Sequence, residues 1–198
     1  MKYFLITFFV LIISFVISQV VIIKKASDTG SIPYETIEVF NEFEVRQYPE
    51  LALASTQLDK NSYDENSRIG FRRIASYIFG GNSNKTQIAM TSPVQMEMGR
   101  NSKMSFIMPP SMRFEDLPRP NNEQINLTVQ PPKTVAVISF SGWASDDILE
   151  EKYLELKAAL IKKEIGFQEG YFFLGYNPPY QLLNRKNEVI IELLDYKK

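Results

Sequence analysis

One order of segments occurs twice along this chain, and a duplicated order leaves few architectures open. In the first half, Tyr34 to Gln47 reads as extended chain with a turn at Asn41-Glu42, and Leu51 to Thr56 follows as a second strand after the turn at Tyr48-Pro49. Phe71, Ile74, Ala75 and Ile78 then recur at helical spacing, with Arg68, Arg72, Arg73 and Ser76 on the other side and Gly80-Gly81-Asn82 as the stop. Gln87 to Met98 and Lys103 to Met108 are two further extended runs. The second half begins with Gln124 to Gln130 and, after the turn at Pro131-Pro132, Thr134 to Phe140. Ser145 is a good N-cap, Asp146 and Asp147 suit the first turn of a helix, and Leu149, Tyr153, Leu156 and Leu160 mark one face of it. Gly166 is the expected stop, and Tyr171 to Tyr176 and Glu188 to Leu194 close the unit as strands. A Pro-rich segment, Pro109 to Pro120, joins the halves.

This strand-strand-helix-strand-strand unit, present twice, predicts a pseudo-two-fold α+β domain. Two four-stranded halves would form one curved sheet or a distorted eight-stranded barrel, with two helices over apolar strand faces. A ligand would lie in the groove between a helix and the sheet.

Ahead of the repeat, Tyr3 to Ile23 carries no charged residue. That length matches the roughly 20 residues a helix needs to span a bilayer, so residues 1–23 are expected to be a single transmembrane anchor. A signal peptide is the other reading, with Lys2 as its charged start and Val16-Ile17-Ser18 loosely fitting the small-residue rule before a cut. Residues 24–32 are then a linker and 33–198 the folded domain. Lysines flank the segment on both sides, which leaves its orientation, and the side of the membrane, open.

Composition removes much chemistry. The chain has no Cys and no His, so disulfides, thiol and imidazole catalysis and the usual zinc sites are excluded. Its formal net charge of −1, without basic runs beside aromatics, argues against nucleic-acid partners. Met90, Met96, Met98, Met104 and Met108 serve as core filler or as soft ligands to haem iron. Tyr171, Phe172, Phe173, Tyr176 and Tyr180 can stack on a flat ligand, and Arg68, Arg72 and Arg73 can hold its carboxylates. Glu188 and Glu192 lie on an alternating strand, where a carboxylate facing an apolar pocket could act as acid or base.

Five stretches together resemble the SOUL haem-binding protein family from Pro33 onward. They are Phe43 to Tyr48; Phe71 to Gly81 with Tyr77-Ile78-Phe79-Gly80-Gly81-Asn82; Ile88-Ala89-Met90-Thr91-Ser92-Pro93-Val94; Phe140-Ser141-Gly142-Trp143-Ala144; and Gly175-Tyr176-Asn177-Pro178-Pro179 with Arg185-Lys186-Asn187-Glu188-Val189. The resemblance implies a duplicated barrel of eight strands and two helices, and binding of haem or another tetrapyrrole beside the first helix, near Pro178 and Pro179. By position it assigns Arg68 to a propionate and Phe71 and Ala75 to the apolar groove. Ser76 and Gln181 stand where relatives can carry Lys. Arg68, Phe71 and Ala75, with Arg72, Ile78, Tyr180 and Arg185 added from the helix face and the fingerprint loop, form the expected cofactor site, with no catalytic residue and no protein metal site. Without a His, haem would be held by hydrophobic contact and propionate pairing, or use Met or Tyr as an axial ligand. The expected function is a membrane-anchored, non-catalytic binder of haem, a porphyrin or another flat apolar molecule. An enzyme of hydrolase type using Glu188 or Glu192, and an interaction module at the membrane, are the alternatives.

Overall fold

Each repeat opens with strands whose residues alternate between two packed layers, and each then places one capped helix on the same side of the sheet. The computed structural model describes residues 2–27, 32–99, 102–178 and 180–196. Pro179, which belongs to the fingerprint, and residues 28–31, which belong to the expected linker, lie outside the described residues. Helix α1 (Lys2–Ser27) precedes β1 (Glu35–Val39), β2 (Glu44–Tyr48), β3 (Leu51–Gln57), helix α2 (Tyr63–Ile78), β4 (Val94–Met98) and β5 (Lys103–Ile107). The second repeat follows as β6 (Ile125–Gln130), β7 (Lys133–Ser141), helix α3 (Asp146–Lys162), β8 (Tyr171–Gly175) and β9 (Lys186–Glu192).

All strand pairings are antiparallel, in the order β1-β2-β7-β9-β8-β4-β5-β3-β6. Reading outward from the central β8·β4 pair gives β9 and β5, then β7 and β3, then β2 and β6, so the two repeats are related by a two-fold. The first strand of each repeat pairs with the second strand of the other, since β2 lies on β7 and β6 on β3. The expected eight strands are therefore nine, because the run from Tyr34 folds back at its turn and adds β1 at the edge. With β1 and β6 at the two ends, the sheet is a curled half-barrel, not a closed barrel.

Alternation along the strands makes two cores. Phe173, Val189, Ile191, Ala136 and Ile138 face the layer of α2 and α3 and pack with Ile74, Ile78, Leu149, Leu156 and Leu160. Their neighbours Leu174, Ile190, Val135 and Val137 face the other way and pack with Tyr48, Leu51, Leu53 and Ile107.

The helix ends obey sequence chemistry and also meet each other. Ser62 caps α2 by accepting from the Glu65 N–H, and Ser145 caps α3 by accepting from Ile148. Asp146, in the first turn of α3, accepts from the Ser62 hydroxyl at 2.6 Å and from the Tyr63 N–H at 2.5 Å, so one repeat caps the other. Asp146→Ala should cost about 1 kcal/mol, the usual value of a lost cap, read as a lowered urea midpoint with unchanged slope. The stop of α3 is Glu164, at φ 57, and not Gly166. At Gly70 a Cβ would lie 3.0 Å from Leu58 and 3.1 Å from the Met104 sulfur, so the bare backbone is what lets α2 approach the sheet.

The apolar amino-terminal run is helical, but the expected transmembrane helix finds no support. Among the described residues, no helix is long and apolar enough to cross a membrane. Its polar residues also have local partners: the Ser18 hydroxyl donates to the Phe15 carbonyl, and Gln19 is buried against the domain, accepting from the Leu182 N–H at 3.1 Å.

Candidate functional site

Helix α2 carries two stripes. Asn66, Gly70, Ile74 and Ile78, four residues apart and with Tyr77 beside them, turn into the core. Tyr63, Ser67 and Phe71, likewise four apart and with Arg68 and Arg72 beside them, form one wall of a pocket of about 920 Å³. The size falls within the roughly 300–1,000 Å³ of small-molecule sites. Val94 and Met96 of β4, Met104 of β5, Phe173 of β8 and Asn187 of β9 form the sheet side. Met90, Thr91 and Ser92 close one edge, Trp143 with Tyr176, Asn177, Pro178, Tyr180 and Arg185 another, and Val21 and Ile22 of α1 complete the lining.

The fingerprint segments build these edges. The Thr91 hydroxyl donates to the Ile107 carbonyl and the Ser92 hydroxyl to that of Tyr176 at 3.0 Å, which ties the Met90-Thr91-Ser92 segment to two strands. Asn177 accepts from the Lys186 N–H at 2.6 Å, and the Asn187 amide donates to the Gly142 carbonyl at 2.8 Å. Arg185 lies at this junction. Its guanidinium is 4.2 Å from the Trp143 ring, and Nη1 donates to the carbonyls of Pro178 at 3.0 Å and Gln181 at 2.7 Å. Its Nε is buried with no acceptor, and burial lowers its pKa, partly offset by Tyr63.

Arg68 and Arg72 are exposed on α2 and, like Arg185, pair with no carboxylate among the described residues. Three guanidinium groups thus border an apolar slot without an anion, an arrangement that can receive the carboxylates of a flat apolar molecule.

Of the residues expected from sequence, Arg68, Phe71, Arg72, Tyr180 and Arg185 line the pocket, whereas Ala75 and Ile78 are buried in the core. Sequence periodicity merged the two stripes of α2. The missing signal was the start of the helix at Tyr63, which puts Tyr63, Ser67 and Phe71 in one line. Ser76 donates to the Arg73 carbonyl, and the Gln181 amide to Leu183 and Asn184 in its own loop, so neither lines the pocket. Trp143 entered only as part of a motif; its place depends on packing against Arg185.

Glu188 does not face the slot. Asn187 lines the pocket, so the alternation of β9 turns Glu188 to the opposite face, where it is fully buried. Its carboxylate accepts from both Nη1 contacts of Arg46 at 3.1 Å, the Tyr176 hydroxyl at 2.6 Å and the Ser139 hydroxyl at 3.2 Å, and lies 3.0 Å from Lys186 Nζ. Burial pushes its pKa up, but Tyr176, Arg46 and Lys186 outweigh burial and hold it below the ordinary value. Glu192 accepts from the Gln168 amide and sits 3.8 Å from Lys133.

The family model of the SOUL heme-binding protein matches residues 29–192. This chain belongs to the SOUL family. A Homo sapiens protein named Heme-binding protein 2 is 33% identical over 175 residues, covering 84% of this chain and 82% of its own. The Mus musculus protein of the same name is 32% identical over 155 residues, covering 74% and 76%. A crystal structure of the EcmrR C-terminal domain superposes with a TM-score of 0.57 at 12% identity, covering 82% of this chain and 99% of that one, and shares the fold. Within this SOUL chain, the five fingerprint segments are largely devices that shape the pocket edges and join the repeats.

Proposed function

We propose that this chain binds haem or a related tetrapyrrole in the pocket beside α2, and does so without catalysing its conversion. The carrying observation is the apolar slot of about 920 Å³ bordered by three arginines that pair with no carboxylate among the described residues, one with a buried, unaccepted Nε. Membership of the SOUL family and relatives named Heme-binding protein 2 support the same reading. The macrocycle would lie against Phe71, Phe173 and Met96, with its propionates toward Arg68, Arg72 or Arg185. Haem would supply an iron as well, but the chain has no His or Cys to ligate it, so affinity rests on apolar burial and charge, with the Met sulfurs and the hydroxyls of Tyr63 and Tyr180 as the remaining donors in the lining. Neither Glu188 nor Glu192 lines the pocket, which favours binding over hydrolase-type chemistry.

Trp143 is the one tryptophan of the sequence and lines the pocket, so its fluorescence should fall saturably as haemin is added. Arg68→Ala or Arg185→Ala should raise Kd by about tenfold, as expected for losing one charge-assisted hydrogen bond. Quenching that never saturates, or an affinity indifferent to both substitutions, would overturn the proposal; circular dichroism of each variant checks that the fold is intact.

A further inference from the structure

We propose that the mouth of this pocket docks on a lipid bilayer through α1 and the loop from Tyr180 to Leu183, so that apolar ligands pass between membrane and pocket directly. The identity of the transferred ligand rests on the binding function proposed above; the docking surface does not.

Four observations converge. Along α1, Phe8, Phe9, Val10, Leu11, Ile12, Ile13, Phe15, Val16 and Ile17 are each 43–69% exposed. Nine such residues within ten positions point in every direction around a helix, so a protein groove would cover one stripe and leave the others in water, whereas the apolar layer of a bilayer accepts all of them. Next, the same helix is joined to the pocket: Gln19 is 5% exposed and holds the Leu182 N–H, and Val21 and Ile22 belong to the lining. Third, the loop at this junction exposes Tyr180, Leu182 and Leu183, of which Tyr180 lines the pocket and suits the headgroup boundary. Finally, Val21 and Tyr180 are both exposed and part of the lining, so a bilayer that covers α1 and the loop also meets the edge of the pocket. The contact is made by apolar side chains of α1 and the loop entering the apolar layer, and it requires no crossing of the membrane.

The test uses the full chain and phosphatidylcholine vesicles, with Leu182→Asp/Leu183→Asp as the variant, because neither side chain lines the pocket. The full chain should float with vesicles, and haemin carried in vesicles should quench Trp143 at a rate that rises with vesicle concentration. The double variant should lose about tenfold or more in vesicle association and in transfer rate, as expected for withdrawing two leucines from an apolar medium. Its affinity for haemin added from water should stay as in the parent chain. The proposal is overturned if the full chain stays in the aqueous phase, if the variant floats as well as the parent, if transfer ignores vesicle concentration, or if the substitutions abolish self-association in place of vesicle binding. Flotation without any saturable haemin binding would support the surface and reject the haem function.

Discussion

An Arg46→Met variant should unfold about 3–5 kcal/mol more easily than the parent chain, the range expected when one member of a buried ion pair is removed. Arg46 is 3% exposed and Glu188 is fully buried, and the substitution leaves that carboxylate without its guanidinium partner. Arg46 is further held by Glu44 at 2.8 Å and packs 4.2 Å from the Tyr34 ring, so the loss reaches β1 as well. Urea denaturation should show a lower midpoint, and Arg46→Met/Glu188→Leu should be less destabilised than either single change, because the cost lies in leaving a buried charge with only the half-exposed Lys186 as its counter-charge. The pH dependence has a fixed sign. The folded-state pKa of Glu188 lies below its ordinary value of 4.5, so its stabilisation is complete above that pH and is lost as the pH falls through the lowered folded value. Removing Arg46 raises the folded-state pKa toward the ordinary value, so Arg46→Met should be less stable at neutral pH but should lose less of its remaining stability on acidification than the parent chain. A double variant as unstable as the sum of the singles would refute the paired assignment.

Asn82→Ala should cost about 4 kcal/mol, from four lost side-chain hydrogen bonds worth about 1 kcal/mol each, the longest of them from the Thr86 hydroxyl at 3.3 Å. The Asn82 side chain is fully buried after α2; its amide donates to the carbonyls of Tyr77 at 2.9 Å and Thr86 at 2.8 Å, and its carbonyl accepts from the Thr86 N–H at 3.1 Å. The turn it holds is also where the repeats are joined. The Ser83 N–H donates to Arg119, the Asn121 N–H to Gly81, and the Tyr77 hydroxyl to Pro118. Gly81 belongs to the same device, since a Cβ there would lie 2.5 Å from the Ser76 carbonyl oxygen. Asn82→Asp should not rescue, because it keeps the acceptor and loses both donated bonds. Thermal melts of the two variants that match the parent would show that this turn carries no load.

Several of these features were legible before any coordinates. Period-2 and period-3.6 patterns located two repeats, Ser145 was identifiable as a cap, and Gly80-Gly81-Asn82 as a helix stop, because each depends on chemistry within a few residues. Other features were not. The same alternation that marked β9 could not say which face of it Glu188 shares with the pocket, since register is decided by β7 and β8. The apolar stripe of α2 included Phe71 in the slot and Ile78 in the core because both surfaces are apolar, and only the sheet beneath them separates the two.

What the sequence by itself determined is therefore the local and compositional part: a duplicated α+β unit, membership of the SOUL family, and the absence of imidazole and thiol ligands. Tertiary structure alone decided that β2 and β6 exchange between repeats, that β1 makes a ninth strand, and that Arg185, Trp143 and Asn187 meet the wall of α2. The reason is physical: caps, turns and periodicity depend on neighbours along the chain, whereas strand order and the meeting of Trp143 with Arg185, forty-two positions apart, depend on which apolar faces find one another in the packed state.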